Sequence, residues 1–269
     1  MVQIVSGAEA QAKVRKRTVV GDLEFWKTEY LGPSSTPGTF VAAPPLAQRH
    51  AQGFLIEQAA GSVIPAHFHK VNQFQVVVQG NGTLGRYSVE RGAVHYAGGY
   101  TGYGPIRAGE HGLAYLTLRA QFDFNAYFLP QSRSELKDVE RQFLLARDVR
   151  LSDPSELAER SGAALEVILT PQESGLAGYL ARLGPEALLD LIAPDTGGGQ
   201  YWLVMAGGIR HSEKDLTQRS CLFIAPTDPY FAMRAGSSGA EVLVLQYPRN
   251  PEPRPKSPAA GSLLQPASI

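Results

Sequence analysis

Gly61-Ser-Val-Ile-Pro-Ala-His67-Phe-His69-Lys-Val-Asn-Gln73-Phe-Gln-Val-Val-Val-Gln-Gly80 holds the densest chemistry in the chain. His67 and His69 are two residues apart, so a strand through them projects both imidazoles from one face. After a turn at Lys70 to Asn72, Gln73 and Gln75 alternate with Phe74 along the next strand. If the two strands are antiparallel neighbours, His67, His69 and Gln73 aim at one interior point. Two imidazoles and an amide oxygen form a ligand set for a divalent metal. A His-x-His pair on a strand also reads as polar surface, and these residues alone leave both readings open.

Outward from this stretch, Arg17 to Arg119 reads as strands. Phe54-Leu55-Ile56, Phe74 to Val78 and Leu113 to Leu118 are short apolar or alternating runs between Gly, Pro, Asn and Ser clusters. The 28 glycines and 19 prolines agree with many short strands and tight turns, and so with an all-β class. Asn81-Gly82, after Gln79-Gly80, signals a hairpin, because Asn and Gly tolerate positive φ. From Ser132 to Arg147 the pattern changes: Leu136, Val139, Phe143 and Leu144 recur at helical spacing, with Ser134 as a cap. Asp153 and Pro154 begin a second short helix to Arg160. Pro248 to Ile269 carries six prolines among Ser, Gly and Ala, the composition of a flexible tail or of an arm lying on a partner.

The chain also repeats itself. Gln73–Gly80 matches Gln200-Tyr-Trp-Leu-Val-Met-Ala-Gly207 at an offset of 127, and the same offset lays Ala114–Arg119 on Glu241–Gln246. Two matches at one offset predict a duplicated β domain. The expected division is 17–130 for the first domain, 131–161 for a helical connector, 162–248 for the second domain and 249–269 for the tail.

Charge and composition narrow the partners. Lys plus Arg and Asp plus Glu each number 25, so no basic excess exists to bind nucleic acid or an anionic membrane. Cys221 is the one cysteine, which removes an internal disulfide and a cysteine-based zinc site. Apolar runs such as Tyr201 to Ala206 are far shorter than the ~20 residues of a membrane helix. The opening Met1-Val2-Gln3-Ile4-Val5 lacks a basic segment before an apolar core, so a cytoplasmic protein acting on a small molecule is expected.

The quoted stretch resembles the first signature of the cupin family, Gly-x5-His-x-His-x3-Glu-x6-Gly, with Gln73 where the family has Glu. The second signature, Gly-x5-Pro-x-Gly-x2-His-x3-Asn, fits poorly from Gly92: its His falls on Tyr103, and its Pro and following Gly fall on Gly98 and Tyr100. The resemblance implies two cupin jelly-roll barrels joined by the connector, a bicupin, and its members' habit of pairing implies a homodimer. It also implies one divalent ion per chain in the first barrel, Fe(II) first, with Mn(II), Ni(II) or Zn(II) as alternatives. His67, His69 and Gln73 are the matched ligands. His95 is taken as the fourth, since imidazole is the commonest metal ligand. Tyr103, at the family's histidine position, is the candidate general acid or base, or a phenolate ligand. Gln75, and Tyr100 in a Gly- and Tyr-rich rim, are candidate substrate contacts. Arg119 and Lys70 could meet an acidic substrate or simply face solvent. In the second copy the offset replaces His67 and His69 by Pro194 and Thr196, with Gln200 alone retained and Phe231 near the last histidine position. That half is therefore expected to hold no metal.

Three functions follow: a dioxygenase, first by resemblance; a non-redox lyase or isomerase; and a ligand-binding or sensor protein without turnover. The neutral Gln73 narrows the gap between the first two, because it leaves an ion its full +2 charge.

Overall fold

The structure, a computed structural model, describes residues 1–32, 50–123 and 125–256. In chain order the strands are β1 (Gln3–Val5), β2 (Arg15–Val20), β3 (Leu23–Leu31), β4 (Gln52–Gln58), β5 (Val63–Ile64), β6 (His67–Phe68), β7 (Gln73–Leu84), β8 (Tyr87–Glu90), β9 (Val94–Ala97) and β10 (Ile106–Arg119). They continue as β11 (Tyr127–Phe128), β12 (Phe143–Ala146), β13 (Ala163–Leu169), β14 (Ala177–Leu183), β15 (Leu188–Leu189), β16 (Gln200–His211), β17 (Lys214–Thr217), β18 (Cys221–Ile224) and β19 (Met233–Gln246). Two short helices, α1 (Gly7–Ala12) and α2 (Pro154–Glu159), accompany them.

Two large antiparallel sheets result. One runs β12-β9-β7-β10-β4-β3-β2, the other β1-β18-β16-β19-β14-β13. Strands β7 to β10 have the same lengths as β16 to β19 and stand 127 residues before them. Each long strand of the second set pairs as its counterpart does: β10 takes β7 on one side and β4 and β5 on the other, and β19 takes β16, β14 and β15. The repeat seen in two sequence fragments thus extends through the whole sheet order.

Alternation along these strands sorts side chains into three apolar layers. Phe74, Val76 and Val78 on β7 meet Tyr201, Leu203 and Met205 on β16 in a core shared by the two sheets. The opposite faces line separate interiors, with Phe54, Ile56, Val77 and Tyr115 in the first and Trp202, Val204 and Val242 in the second. Gly80 and Gly207 occupy one position of the repeat, at φ +76° and +62°. A Cβ there would lie 2.2 Å from the carbonyl oxygen of Gly112 or 2.1 Å from that of Gly239. Only glycine permits so close an approach where the long strands shift register.

Several local expectations are corrected. Asn81-Gly82 is not a turn: both residues lie inside β7, and the chain reverses at Gly85-Arg86, with Gly85 at φ +59°. The helix expected over 132–147 is a single 3-10 turn at Arg133–Glu135, which contains Ser134, followed by β12 on the edge of β9. Its apolar residues serve different neighbours: Val139 packs with Phe68 and Tyr100, Leu144 with the shared core, and Leu145 with the first interior. No single helical face could reach all three, and the β9 edge offers backbone partners that a helix would leave unpaired. The helix begun by Asp153 and Pro154 does form, with the Asp153 carboxylate accepting from the N–H groups of Ser155 and Glu156.

The chain ends cross between units. β1 pairs with β18 in the second sheet, whereas β12, within the expected connector, belongs to the first. The start of the Pro-rich tail lies on its own chain: Asn72 donates to the Pro251 carbonyl (3.3 Å), and the Glu140 N–H to that of Arg254 (2.9 Å). The remainder of the tail, 257–269, falls outside the described residues. Among the described residues no helix is long and apolar enough to cross a membrane.

Candidate functional site

His67 opens β6 and His69 follows it, while Phe68 between them turns the other way, into a cluster with Tyr100 and Val139. Both histidines line a cavity of about 200 Å³ in the first unit, so the one-face reading of His-x-His holds. Their inner nitrogens are tied to main-chain oxygens: His67 Nδ1 lies 2.8 Å from the Pro65 carbonyl and His69 Nδ1 2.6 Å from that of Asn125. A carbonyl only accepts, so Nδ1 carries the proton on each ring and Nε2 keeps its lone pair. Arg119 Nη2 also stands 3.0 Å from His69 Nδ1, but a donor cannot bond a second donor, and Nη2 donates to Gln73 Oε1 instead. Burial pushes the His67 imidazole down to about 3, and burial together with the Arg119 charge lowers His69. Both rings are therefore neutral, in the state that binds metal.

Gln73 is differently engaged. Its amide oxygen accepts from Arg119 Nε (3.1 Å) and Nη2 (3.0 Å), and its Nε2 donates to the Tyr103 hydroxyl (2.5 Å). It is fully buried but absent from the cavity lining, and the oxygen expected to ligate is saturated by a cation. Tyr103 does reach the site. Its backbone exchanges two hydrogen bonds with His67, each 3.0 Å, and its ring lies 4.6 Å from the His67 ring. Burial pushes its phenol well above the ordinary range, which opposes a phenolate ligand and keeps the hydroxyl proton in place.

His95 is not brought to the same cavity. In the ladder it lies opposite Gln75 on one side and Leu145 on the other, and it faces a separate hole of about 20 Å³. Its Nδ1–H donates to Gln75 Oε1 (2.9 Å), and its buried Nε2 has no partner. Gln75 borders both cavities. Tyr100 is also displaced: at φ +63° its ring stacks on Phe68 and under Lys137, away from the cavity. Lys70 is a partly exposed neighbour of Glu135 (2.8 Å).

Arg119 is the principal residue that sequence reading left undecided. At 2% exposure it also donates through Nη1 to Gln52 Oε1 (2.9 Å) and the Asp123 carbonyl (3.1 Å). Burial tends to raise the Asp123 carboxyl, but His69 and Arg119 outweigh it and hold it at about 2. The available signal was strand phase, since Arg119 keeps the parity of Leu113, Tyr115 and Thr117, all inward. Lys27 and Gln52 carried the same mark, in phase with Phe25 on β3 and with Phe54 and Ile56 on β4, whereas Asp123, beyond the end of β10, carried none.

The two imidazoles, with ring centres 5.3 Å apart, have their tautomers fixed from behind, so each leaves Nε2 with a lone pair of the kind that a divalent ion takes. Among the described residues no group of three or more His, Cys, Asp or Glu is placed to hold one: Gln73 and Tyr103 occupy the family's other positions, and His95, its ring 5.0 Å from that of Tyr103, lines the smaller hole. In the second unit Gln200 bonds Trp202 Nε1 (3.0 Å) and Gln246 (2.8 Å), and Trp202 packs 5.0 Å from Phe231. That interior is built as a core.

No family model matches the chain, and no curated protein matches it. Solved structures do. A candidate dioxygenase from Nostoc punctiforme superposes with a TM-score of 0.59 at 10% identity, over 96% of this chain and 87% of that one. The nickel(II) complex of a bacterial pirin from Escherichia coli gives 0.53 at 14%, over 93% and 100%. The formate complex of Lactobacillus farciminis oxalate decarboxylase gives 0.52 at 12%, over 93% and 87%. Such identities establish architecture rather than activity: the chain has the cupin fold.

Proposed function

We propose that the chain is a metal-dependent cupin enzyme acting on a small organic molecule in the first unit's cavity, with His67 and His69 holding the ion. The observation that carries this reading is the pair of neutral imidazoles, each with Nδ1–H spent on a carbonyl and Nε2 left as a donor to metal. The nickel-bound pirin and the Mn(II) centres of Bacillus subtilis oxalate decarboxylase support a divalent ion at the level of a shared fold. Fe(II) remains the ion to test first.

Of the two enzymatic readings, the site's electrostatics favour the non-redox one, a lyase or isomerase. The neutral Gln73 stands at the family's Glu position, and the Arg119 guanidinium lies 3.0 Å and the Asp123 carboxylate 3.6 Å from His69 Nδ1, the nitrogen turned away from an ion. The guanidinium charge, offset in part by Asp123, opposes a gain of charge by an ion, and without a ligating carboxylate the ion keeps its pull on substrate electrons. Such an ion would supply Lewis acidity toward a carbonyl or carboxylate oxygen. The protein's own part is positioning and proton control. Burial keeps the Tyr103 proton on Oη, and the hydrogen bond that Gln73 donates to that oxygen acts in the opposite sense, easing the proton's release to a developing anion. Gln75, held through His95, supplies an amide at the cavity wall. Phe54, Ile56 and Phe128 exclude water.

The dioxygenase reading draws on the apolar wall and on the fold shared with the Nostoc protein. Elemental analysis of the purified chain, followed by turnover of small phenolic and dicarbonyl compounds with and without oxygen, separates the two. Turnover that persists without oxygen is the expected result, and oxygen consumed in proportion to product restores the dioxygenase. Unchanged metal content in His67→Ala would remove the metal site altogether.

A further inference from the structure

The cavity lining combines two chemically distinct sets of side chains. Leu23, Phe25, Phe54, Ile56 and Phe128 form an apolar wall, and Lys27, Arg119 and the two histidines supply the polar part. The Lys27 ammonium stands 4.3 Å from the centre of the Phe54 ring, and the Arg119 guanidinium 5.3 Å from the same ring. Two cations thus share one aromatic side chain in a largely dry space, Arg119 at 2% exposure and the Lys27 side chain at 11%. Lys27 pairs with Glu29 at 2.7 Å, and Glu29 is not among the residues lining the cavity. Asp123 is the one carboxylate in the lining among the described residues. It accepts from the Lys70 N–H (3.1 Å) and lies 3.6 Å from His69, so it is committed to the loop behind the histidines.

From this arrangement we infer that the substrate is a small monoanion with an apolar body, a monocarboxylate on an aromatic ring or short branched chain. The inference deepens the proposed function, since it takes this cavity as the substrate site. Arg119 directs its N–H groups at Gln73, Gln52 and the Asp123 carbonyl, so its contribution is charge, and the low polarity around it lengthens that reach. The carboxylate belongs beside Lys27 and Arg119, and the hydrocarbon against Leu23, Phe25 and Phe128. A cavity of about 200 Å³ lies below the roughly 300 Å³ at which sites for drug-sized ligands begin, so the body is small. A compact dianion such as oxalate fits badly, because its second charge would face the apolar wall.

The test titrates the full chain, as purified and after chelation, with benzoate, phenylacetate and isovalerate, each against its neutral amide, and with oxalate. The expected result is at least tenfold tighter binding of an acid than of its amide in both preparations, with oxalate no tighter than the amides to the chelated chain. Lys27→Met should reduce the preference about tenfold, and Lys27→Arg should keep it. Equal affinity for acid and amide, oxalate as the tightest ligand, or no binding by any acid would overturn the inference. Metal content of the same preparations judges the metal reading separately: a chelated chain that prefers the acids sustains the substrate class even if His67 and His69 hold no ion.

Discussion

Arg119 and Gln73 form a lock: two N–H groups of one guanidinium converge on a single amide oxygen, at 3.1 and 3.0 Å, inside the first unit. The amide then has one remaining polar role, to donate to Tyr103, so the cation fixes both the orientation of Gln73 and the hydrogen-bonding state of the tyrosine. An amide nitrogen placed toward Arg119 would set donor against donor. The lock therefore has one working orientation.

Removing the cation strands its acceptors. Arg119→Met leaves Gln73, Gln52 and the Asp123 carbonyl short of donors in a dry interior, at a cost of about 3–5 kcal/mol. Arg119→Lys should recover less than half, because an ammonium cannot span acceptors that the planar fork reaches together. Urea denaturation of the three proteins checks this, and equal midpoints would show that the lock adds no stability.

Charge at position 73 should control the ion. Gln73→Glu places a carboxylate beside Arg119 and the two histidines, neutralising the field that opposes a cation. Affinity for Ni(II) or Mn(II) is expected to rise tenfold or more, or about 1.4 kcal/mol. Calorimetric titration measures it, and unchanged or weaker binding would place the ion away from His67 and His69.

Acid should destabilise the metal-free protein through His95. Burial holds its folded-state value at about 3, against an ordinary value of 6.5. Between those limits the unfolded chain takes up a proton that the folded chain refuses, so stability is full above 6.5 and declines as pH falls toward 3. At pH 5 the loss from this group is roughly 2 kcal/mol. His95→Leu should make the decline shallower by about 1.4 kcal/mol per pH unit, read from urea midpoints at pH 4.5 to 6.

The second unit should support the site mechanically. The Tyr201 hydroxyl lies 3.0 Å from the carbonyl oxygens of both Gln52 and Arg119, bracing the two strands that carry the lock. Tyr201→Phe is expected to cost about 1–2 kcal/mol, since it removes the donor and leaves buried carbonyls. A denaturation midpoint equal to that of the parent would mean that water or another donor replaces the hydroxyl.

Strand periodicity, the glycine-marked repeat and the His-x-His spacing were all legible in the sequence, because each is a local pattern enforced by backbone geometry. The histidines and Tyr103 reach one cavity for that reason. What could not be read was set by partners far along the chain. His95 sits opposite Gln75 and Leu145 because β9 is sandwiched between β7 and β12, and β12 looked like helix until its apolar residues were seen to serve separate neighbours. Gln73 matched a ligand position, yet its oxygen was claimed by Arg119, 46 residues away. Lys27 enters the cavity from β3, one of three strands separated from the signature by a stretch outside the described residues.

The pairing of Gln3–Val5 with Cys221–Phe223 sets manufacture against assembly. Those three residues are translated ahead of the entire first sheet, yet the edge they complete exists only after β18 has been made. The first unit can close during synthesis, while β1 waits as an unpaired strand and the second sheet is sealed late. Severing the chain between β12 and α2 would not yield two independent halves, because one fragment would carry away a strand of the other.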